Sequence, residues 1–181
     1  MTSARARGPR GFTWIDDDRL AGTPYPGILA DVSHDLMALR DAGITHLISL
    51  TEQPFPATVA ASFGIGCSAL PMADMGVPSL SAGVALCSHM DALLAAENVI
   101  AVHCRAGLGR TGTVLAMYLI WQQLGRQAAP RVIASIRSRN TGMIQSIVQE
   151  RFLEDFLAHC RENALFDKPL PDSHSPIHPT N

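Results

Sequence analysis

Val99-Ile100-Ala101-Val102-His103, then Cys104-Arg105-Ala106-Gly107-Leu108-Gly109, then Arg110-Thr111-Gly112-Thr113-Val114-Leu115: these residues decide the fold. The first group reads as a short buried strand. The second is a loop with two glycines. The third opens a helix, about Arg110 to Gln123, that is apolar nearly all round and therefore central and buried. Working outward, Ile44–Leu50 and Ile65–Leu70 read as further apolar strands. Phe12–Ile15 and Arg19–Ala21 read as a hairpin around the acidic turn Asp16-Asp17-Asp18. Helical spacing marks a helix after Ser33, ending at Gly43, and another capped by Ser81 through Ala96. A short helix is expected over about Ala57–Phe63, one from Pro130 to Ser138, and an amphipathic one over Ile144–Asn163 with Ile147, Val148, Phe152, Phe156 and Leu157 facing inward. Strands alternating with helices imply an α/β domain with a largely parallel central sheet flanked by helices.

A chain of 181 residues, 47% apolar and 17% charged, is long enough for one domain with a real core and too apolar for wholesale disorder. Residues 12–165 carry the periodic pattern; residues 1–11 are expected to form a flexible N-terminal arm and 166–181, with four prolines, a disordered tail. The longest strongly apolar run, Val114–Trp121, is far short of a membrane span. The arginine-bearing N-terminus has no apolar core of a signal peptide. A net charge of −2 argues against a mainly electrostatic nucleic-acid partner. The cysteines at 67, 87, 104 and 160 are too few for a disulfide scaffold, and Cys87/His89 and His159/Cys160 lack the spacing of a zinc site. The expectation is a cytoplasmic chain with reduced thiols, no metal and no cofactor. Its oligomeric state is not encoded in any motif.

The average charge hides a pattern. Between residues 98 and 149 stand six arginines (105, 110, 126, 131, 137 and 139), no lysine and no acid, a composition suited to hosting an anion. Within it, Gly107-Leu108-Gly109-Arg110-Thr111-Gly112 matches the G-x-G-x-x-G of dinucleotide binders. That fingerprint wants an acid about 20 residues on, whereas the next acid is Glu150. The competing reading is Cys-x5-Arg. A glycine-bearing loop at a helix mouth turns its N–H groups inward on an anion, and the helix dipole adds positive potential. Arg105, Ala106, Gly107, Leu108 and Gly109 form that cradle. Cys104 at its floor feels the same field, which holds the sulfur as thiolate and makes it a nucleophile. Arg110 offers a planar fork to two phosphoryl oxygens, and Thr111 is placed to hydrogen-bond the sulfur as it leaves. The leaving oxygen needs a proton donor. Asp74, in Met72-Ala73-Asp74-Met75-Gly76-Val77-Pro78, follows a strand on a loop with apolar neighbours, which would raise its pKa.

His103–Thr111 resembles the H-C-x5-R-[ST] motif of cysteine-dependent protein tyrosine phosphatases, and its wording is most similar to the small atypical dual-specificity and Cdc14-like members. Phe12-x-Trp14, Arg19-Leu20-Ala21-Gly22 and Gly43-Ile44-Thr45-His46-Leu47-Ile48-Ser49-Leu50-Thr51-Glu52 are similar to the N-terminal half of those enzymes. The resemblance implies a protein tyrosine phosphatase-like fold and hydrolysis of phosphomonoesters, phosphotyrosine and also phosphoserine or phosphothreonine, through a phosphocysteine intermediate. It implies an acid about 30 residues before the cysteine, where Asp74 stands. It gives His103 a supporting role, orienting the loop and tuning the thiol. Gln145 and Gln149 are candidates to position the hydrolytic water, although Arg139-Asn140-Thr141-Gly142 departs from the family's wording there. Two alternatives stay open: a phosphatase of phosphoinositides or RNA 5′-phosphates, and a non-catalytic phosphate-binding module.

Overall fold

The computed structural model describes residues 8–16 and 18–166. Five strands, β1 (Thr13–Asp16), β2 (Leu20–Thr23), β3 (His46–Ser49), β4 (Gly66–Ala69) and β5 (Ile100–His103), form one sheet in the order β1-β2-β5-β3-β4. β1 and β2 are the antiparallel hairpin; β2, β5, β3 and β4 run parallel. Among the described residues six helices accompany the sheet: α1 (Val32–Asp41), α2 (Ala57–Ala61), α3 (Leu80–Ala95), α4 (Gly109–Gln122), α5 (Ala129–Arg139) and α6 (Ile147–Glu162).

Successive residues of a strand point to opposite faces, and each face has its own core. Ile100 and Val102 of β5, Ile48 of β3 and Leu20 of β2 pack with α3, α4, α5 and α6. Ala101, Leu47 and Ala21, one residue out of phase, pack with Leu36 and Leu39 of α1 and Ala60 of α2. α4 lies in the middle of the thicker layer, against β2, β5, α3, α5 and α6, which is why Val114, Leu115, Ala116 and Met117 are all inaccessible. Among the described residues no helix is long and apolar enough to cross a membrane.

The expected elements are all present, with shifts at their ends. α1 is capped by Asp31, whose carboxylate accepts from the N–H groups of Ser33 and His34, so Ser33 lies inside the helix. Ser79 caps α3 in place of Ser81. The last helix begins after Ser146: Ile144 has φ of 60°, and Arg137 donates to the carbonyls of Met143 and Ile144, tying the preceding turn down. Ile147 and Val148 therefore fall on the first, outward turn and are exposed, contrary to the inward orientation expected from a helix starting at Ile144. At the chain ends, Pro9 is buried and Phe166 packs on Trp121; the remainder of the expected arm and tail lies outside the described residues.

Candidate active site

The parallel strands β2, β5 and β3 all end at one edge, the usual place for a site in an open α/β sheet. β5 delivers His103 and Cys104 there, β3 delivers Leu50 to Glu52, and β2 delivers Thr23 to Tyr25. The chain then turns through Arg105–Leu108 into α4, whose N-cap residue, Leu108, has no side-chain cap. The first N–H groups of the helix are thus left to the loop's interior. Gly107 has φ of 74°, and a Cβ there would stand 2.6 Å from the Thr23 carbonyl carbon, so no larger residue fits the turn. Arg105 anchors the loop from the other side by accepting the Tyr25 N–H at 3.0 Å.

Cys104 is 3% exposed. Burial pushes its thiol pKa up, but the Thr111 hydroxyl and the N–H groups of Thr111, Leu108 and Gly107 push it down, and the net direction is down. Thr111 Oγ1 is buried with no other partner, so the sulfur is the group it serves. The other three cysteines move the opposite way. Burial raises Cys67, takes Cys160 up to about 11 and carries Cys87 well above its ordinary value. The same residue type is shifted down in one place and up in three, and the difference is the Thr111 hydroxyl together with the N–H groups of Thr111, Leu108 and Gly107.

Arg110, also 3% exposed, is held from behind: Nη1 donates to the Met72 carbonyl at 2.9 Å. Its Nη2 lies 3.0 Å from Asp74 Oδ1, and Nη1 lies 3.7 Å from Glu52 Oε2. Nε is buried without a partner. Asp74 is on the loop expected of it, but its carboxylate is 74% exposed and ion-paired, not enclosed by apolar groups. The apolar enclosure expected around the carboxyl is therefore absent, and the neighbouring Met75, with φ of 57°, is itself 44% exposed. Glu52 was not foreseen. Its Oε1 accepts the Asp74 N–H at 3.2 Å, so one carboxylate links the acid loop to the arginine. Twenty-two residues separate Glu52 from Asp74, and the one signal in the sequence was an acid just past the end of an apolar strand.

His103 is wholly buried and stays neutral. Burial takes its pKa down to about 4, the hydrogen bond from Nδ1 to the Cys104 carbonyl opposes this, and the Arg110 charge adds to it. The rings of Tyr25 and Phe55 meet it edge-on at 5.3 and 6.1 Å. Gln149 is inaccessible; its Oε1 accepts the Gln145 N–H at 2.8 Å, and Nε2 is buried and unpaired. Both glutamines flank Gly109, where a Cβ would come within 2.9 Å of Gln145 Oε1 and 3.1 Å of Gln149 Nε2. Cys104, Arg105, Ala106, Gly109, Arg110, Asp74 and Gln145 line one cavity of about 130 Å³. His103, Thr111 and Gln149 lie behind it. A thiolate-prone sulfur, inward N–H groups, a fixed guanidinium and an exposed carboxyl are the kinds of groups that phosphoryl transfer to sulfur requires.

Comparison with known proteins finds phosphatases. A phosphatidylinositol 3,4,5-trisphosphate 3-phosphatase and protein-tyrosine-phosphatase, PTEN1, of Arabidopsis thaliana is 31% identical over 110 residues, covering 58% of this chain and 26% of that protein. The dual specificity protein phosphatase CDC14C of Symphalangus syndactylus is 32% identical over 114 residues, covering 63% of this chain and 22% of its own. The chain thus spans about a quarter of the length of these curated relatives. The crystal structure of Tk-PTP in the active form superposes with a TM-score of 0.71 at 20% identity, over 82% of this chain and 97% of that one, which establishes the shared fold. The family model described as polymorphic toxin system, DSP-PTPase phosphatase matches residues 21–124, more than half of the chain, and the chain belongs to that family.

Proposed function

We propose that this chain is a cysteine-dependent phosphatase of phosphomonoesters, with residues 12–165 as its catalytic unit. The Cys104 thiolate attacks phosphorus in line with the ester oxygen. The sulfur–phosphorus bond forms as the phosphorus–oxygen bond breaks. Asp74, as the carboxylic acid, gives its proton to the departing oxygen. Arg110 and the N–H groups from Arg105 to Gly109 hold the three remaining phosphoryl oxygens. Water then attacks the phosphocysteine, passing a proton to the Asp74 carboxylate. The sulfur leaves as thiolate, stabilised by the Thr111 hydroxyl, and inorganic phosphate departs. Gln145 and Gln149 stand beside Gly109, where they can orient that water.

The Asp74 carboxylate occupies the Arg110 Nη2 hydrogen that a phosphoryl oxygen needs. Substrate binding therefore displaces Asp74 from the guanidinium, toward the leaving group. The observation that carries the reading is that Cys104, Arg110 and Asp74 line one cavity at the N-terminus of α4, with the Arg110 guanidinium held by the Met72 carbonyl. Phosphotyrosine, with phosphoserine or phosphothreonine as lesser substrates, is the favoured class. Phosphoinositides are the second reading, prompted by the lipid phosphatase among the relatives. The reduced sulfur that thiolate chemistry needs supports a cytoplasmic location as part of this proposal. Phosphate release from p-nitrophenyl phosphate tests the reading: turnover by the wild type and its loss in Cys104→Ser support it, and equal rates for the two proteins refute it.

A further inference from the structure

The groups assigned to the first chemical step come from two places: Cys104 to Thr111 where β5 passes into α4, and Asp74 between β4 and α3. The α5–α6 connection and the first turn of α6 supply a different pair. Gln145 stands in the cavity wall, and Gln149, inaccessible, stands behind it. Gln149 Oε1 accepts the Gln145 N–H at 2.8 Å, which fixes the orientation of that amide and leaves Nε2 as a buried donor without a partner. Gln149 Nε2 and Gln145 Oε1 both lie against Gly109. A donor and an acceptor side by side hold one water in one orientation.

The two amides are placed from outside their own segment. Ile144 has φ of 60°, a conformation that a β-branched residue resists, and such strain persists only where the surroundings impose it. Arg137, in the last turn of α5, imposes it. Its Nε donates to the Met143 carbonyl at 3.3 Å and its Nη2 to the Ile144 carbonyl at 2.6 Å, directly before Gln145. The same Nη2 pairs with Glu150 Oε1 at 2.7 Å, directly after Gln149. A single guanidinium therefore grips the chain on both sides of the glutamine pair. α4 closes the opposite side of the turn: Ile144 N–H reaches the Leu108 carbonyl at 3.4 Å, and a Cβ on Gly112 would stand 2.7 Å from Met143 Cβ. Donors spread along a planar edge suit this grip, and the single ammonium of a lysine does not. Arg137 itself does not line the cavity.

We infer that Arg137, with Glu150 as its counter-ion, is a positioning residue for the second step alone: it sets Gln145 and Gln149 where they orient the water that attacks the phosphocysteine. This role rests on the phosphatase reading and deepens it. Single turnovers with enzyme in excess over p-nitrophenyl phosphate separate the two steps. Release of p-nitrophenolate reads phosphoryl transfer to Cys104, and release of inorganic phosphate reads hydrolysis of the phosphocysteine. Small displacements of a positioned reactant are costly, so Arg137→Gln is expected to slow phosphate release at least about tenfold. Its p-nitrophenolate release and its affinity for tungstate stay within about twofold of the wild type, and phosphocysteine accumulates. Arg137→Lys is expected to behave likewise and serves should the glutamine variant not fold. Glu150→Gln keeps an acceptor for Nη2 and is expected to slow phosphate release less than either. Arg131→Gln, at an exposed position of the same helix, is expected to change neither step. Phosphate release at the wild-type rate in both Arg137 variants overturns the inference. So does equal slowing of the two steps, or a matching loss of tungstate affinity, which would make Arg137 a general support of the fold. A wild type that releases no p-nitrophenolate removes the phosphatase reading itself, and this role with it.

Discussion

Thr111 does most to make Cys104 unlike Cys67, Cys87 and Cys160, because its hydroxyl is the largest of the influences lowering the thiol. Replacing it should move that thiol back toward its ordinary value. Alkylation of Cys104 by iodoacetamide follows the thiolate, so in Thr111→Val the rate-versus-pH curve is expected to shift to higher pH than in the wild type; coincident curves would exclude the hydroxyl. Asp74 makes a separate prediction. Asp74→Asn removes the proton donor and a general-acid contribution of about 10²- to 10⁴-fold. Turnover of p-nitrophenyl phosphate at saturation should fall on that order, while tungstate inhibition persists because the cradle remains. Unimpaired turnover would move the acid to another residue, with Glu52 the nearest carboxylate to Arg110 after Asp74. That Cys104 and Arg110 face one cavity was legible from spacing, since only five residues separate them across the mouth of a helix. Asp74's exposure and Glu52's part were not, because both depend on how the ends of β3 and β4 meet in space.

At the scale of elements, the turn at Gly107 couples β2 to the cradle. A Cβ at this position meets backbone atoms of Thr23 and Pro24 within 2.7 Å, and backbone cannot step aside as a flexible side chain would. Gly107→Ala is therefore expected to cost about 1–3 kcal/mol in urea unfolding and to weaken vanadate binding at least tenfold as the N–H ring opens. Wild-type affinity for vanadate in that variant would show that the loop does not depend on this turn. Elements themselves were readable from periodicity: the phase of Ile100, Ala101 and Val102 predicts two faces, and two faces are found. Helix starts were less so. Ser33 and Ser81 each sit two residues after the actual caps, Asp31 and Ser79, because several adjacent polar residues can cap and local sequence does not choose among them. The start of α6 escaped for a different reason. Arg137, a residue of α5, holds the turn at Met143 and Ile144 from outside the segment.

For the whole molecule, stability and chemistry meet at His103. Folding withholds a proton from it, since its pKa falls from 6.5 to about 4. Stability is then full above about pH 6.5 and is lost as pH drops toward 4, because the unfolded chain takes up a proton that the folded chain refuses. The shift corresponds to about 3 kcal/mol. Urea unfolding at pH 7 and pH 4.5 should show a smaller loss for His103→Gln than for the wild type; an identical loss would mean that His103 is charged in the fold. Of the arginine-rich stretch, only part reaches the candidate site: Arg105 and Arg110 line the cavity, while Arg137 is spent on carbonyls and on Glu150. The central chemical step is sulfur attacking phosphorus. Acid-quenched wild-type protein, taken during turnover of p-nitrophenyl phosphate and analysed by peptide mass spectrometry, measures this directly. A phosphoryl adduct on the peptide containing Cys104 is the predicted result. Turnover with no adduct there, or with the phosphoryl group on another residue, would contradict it.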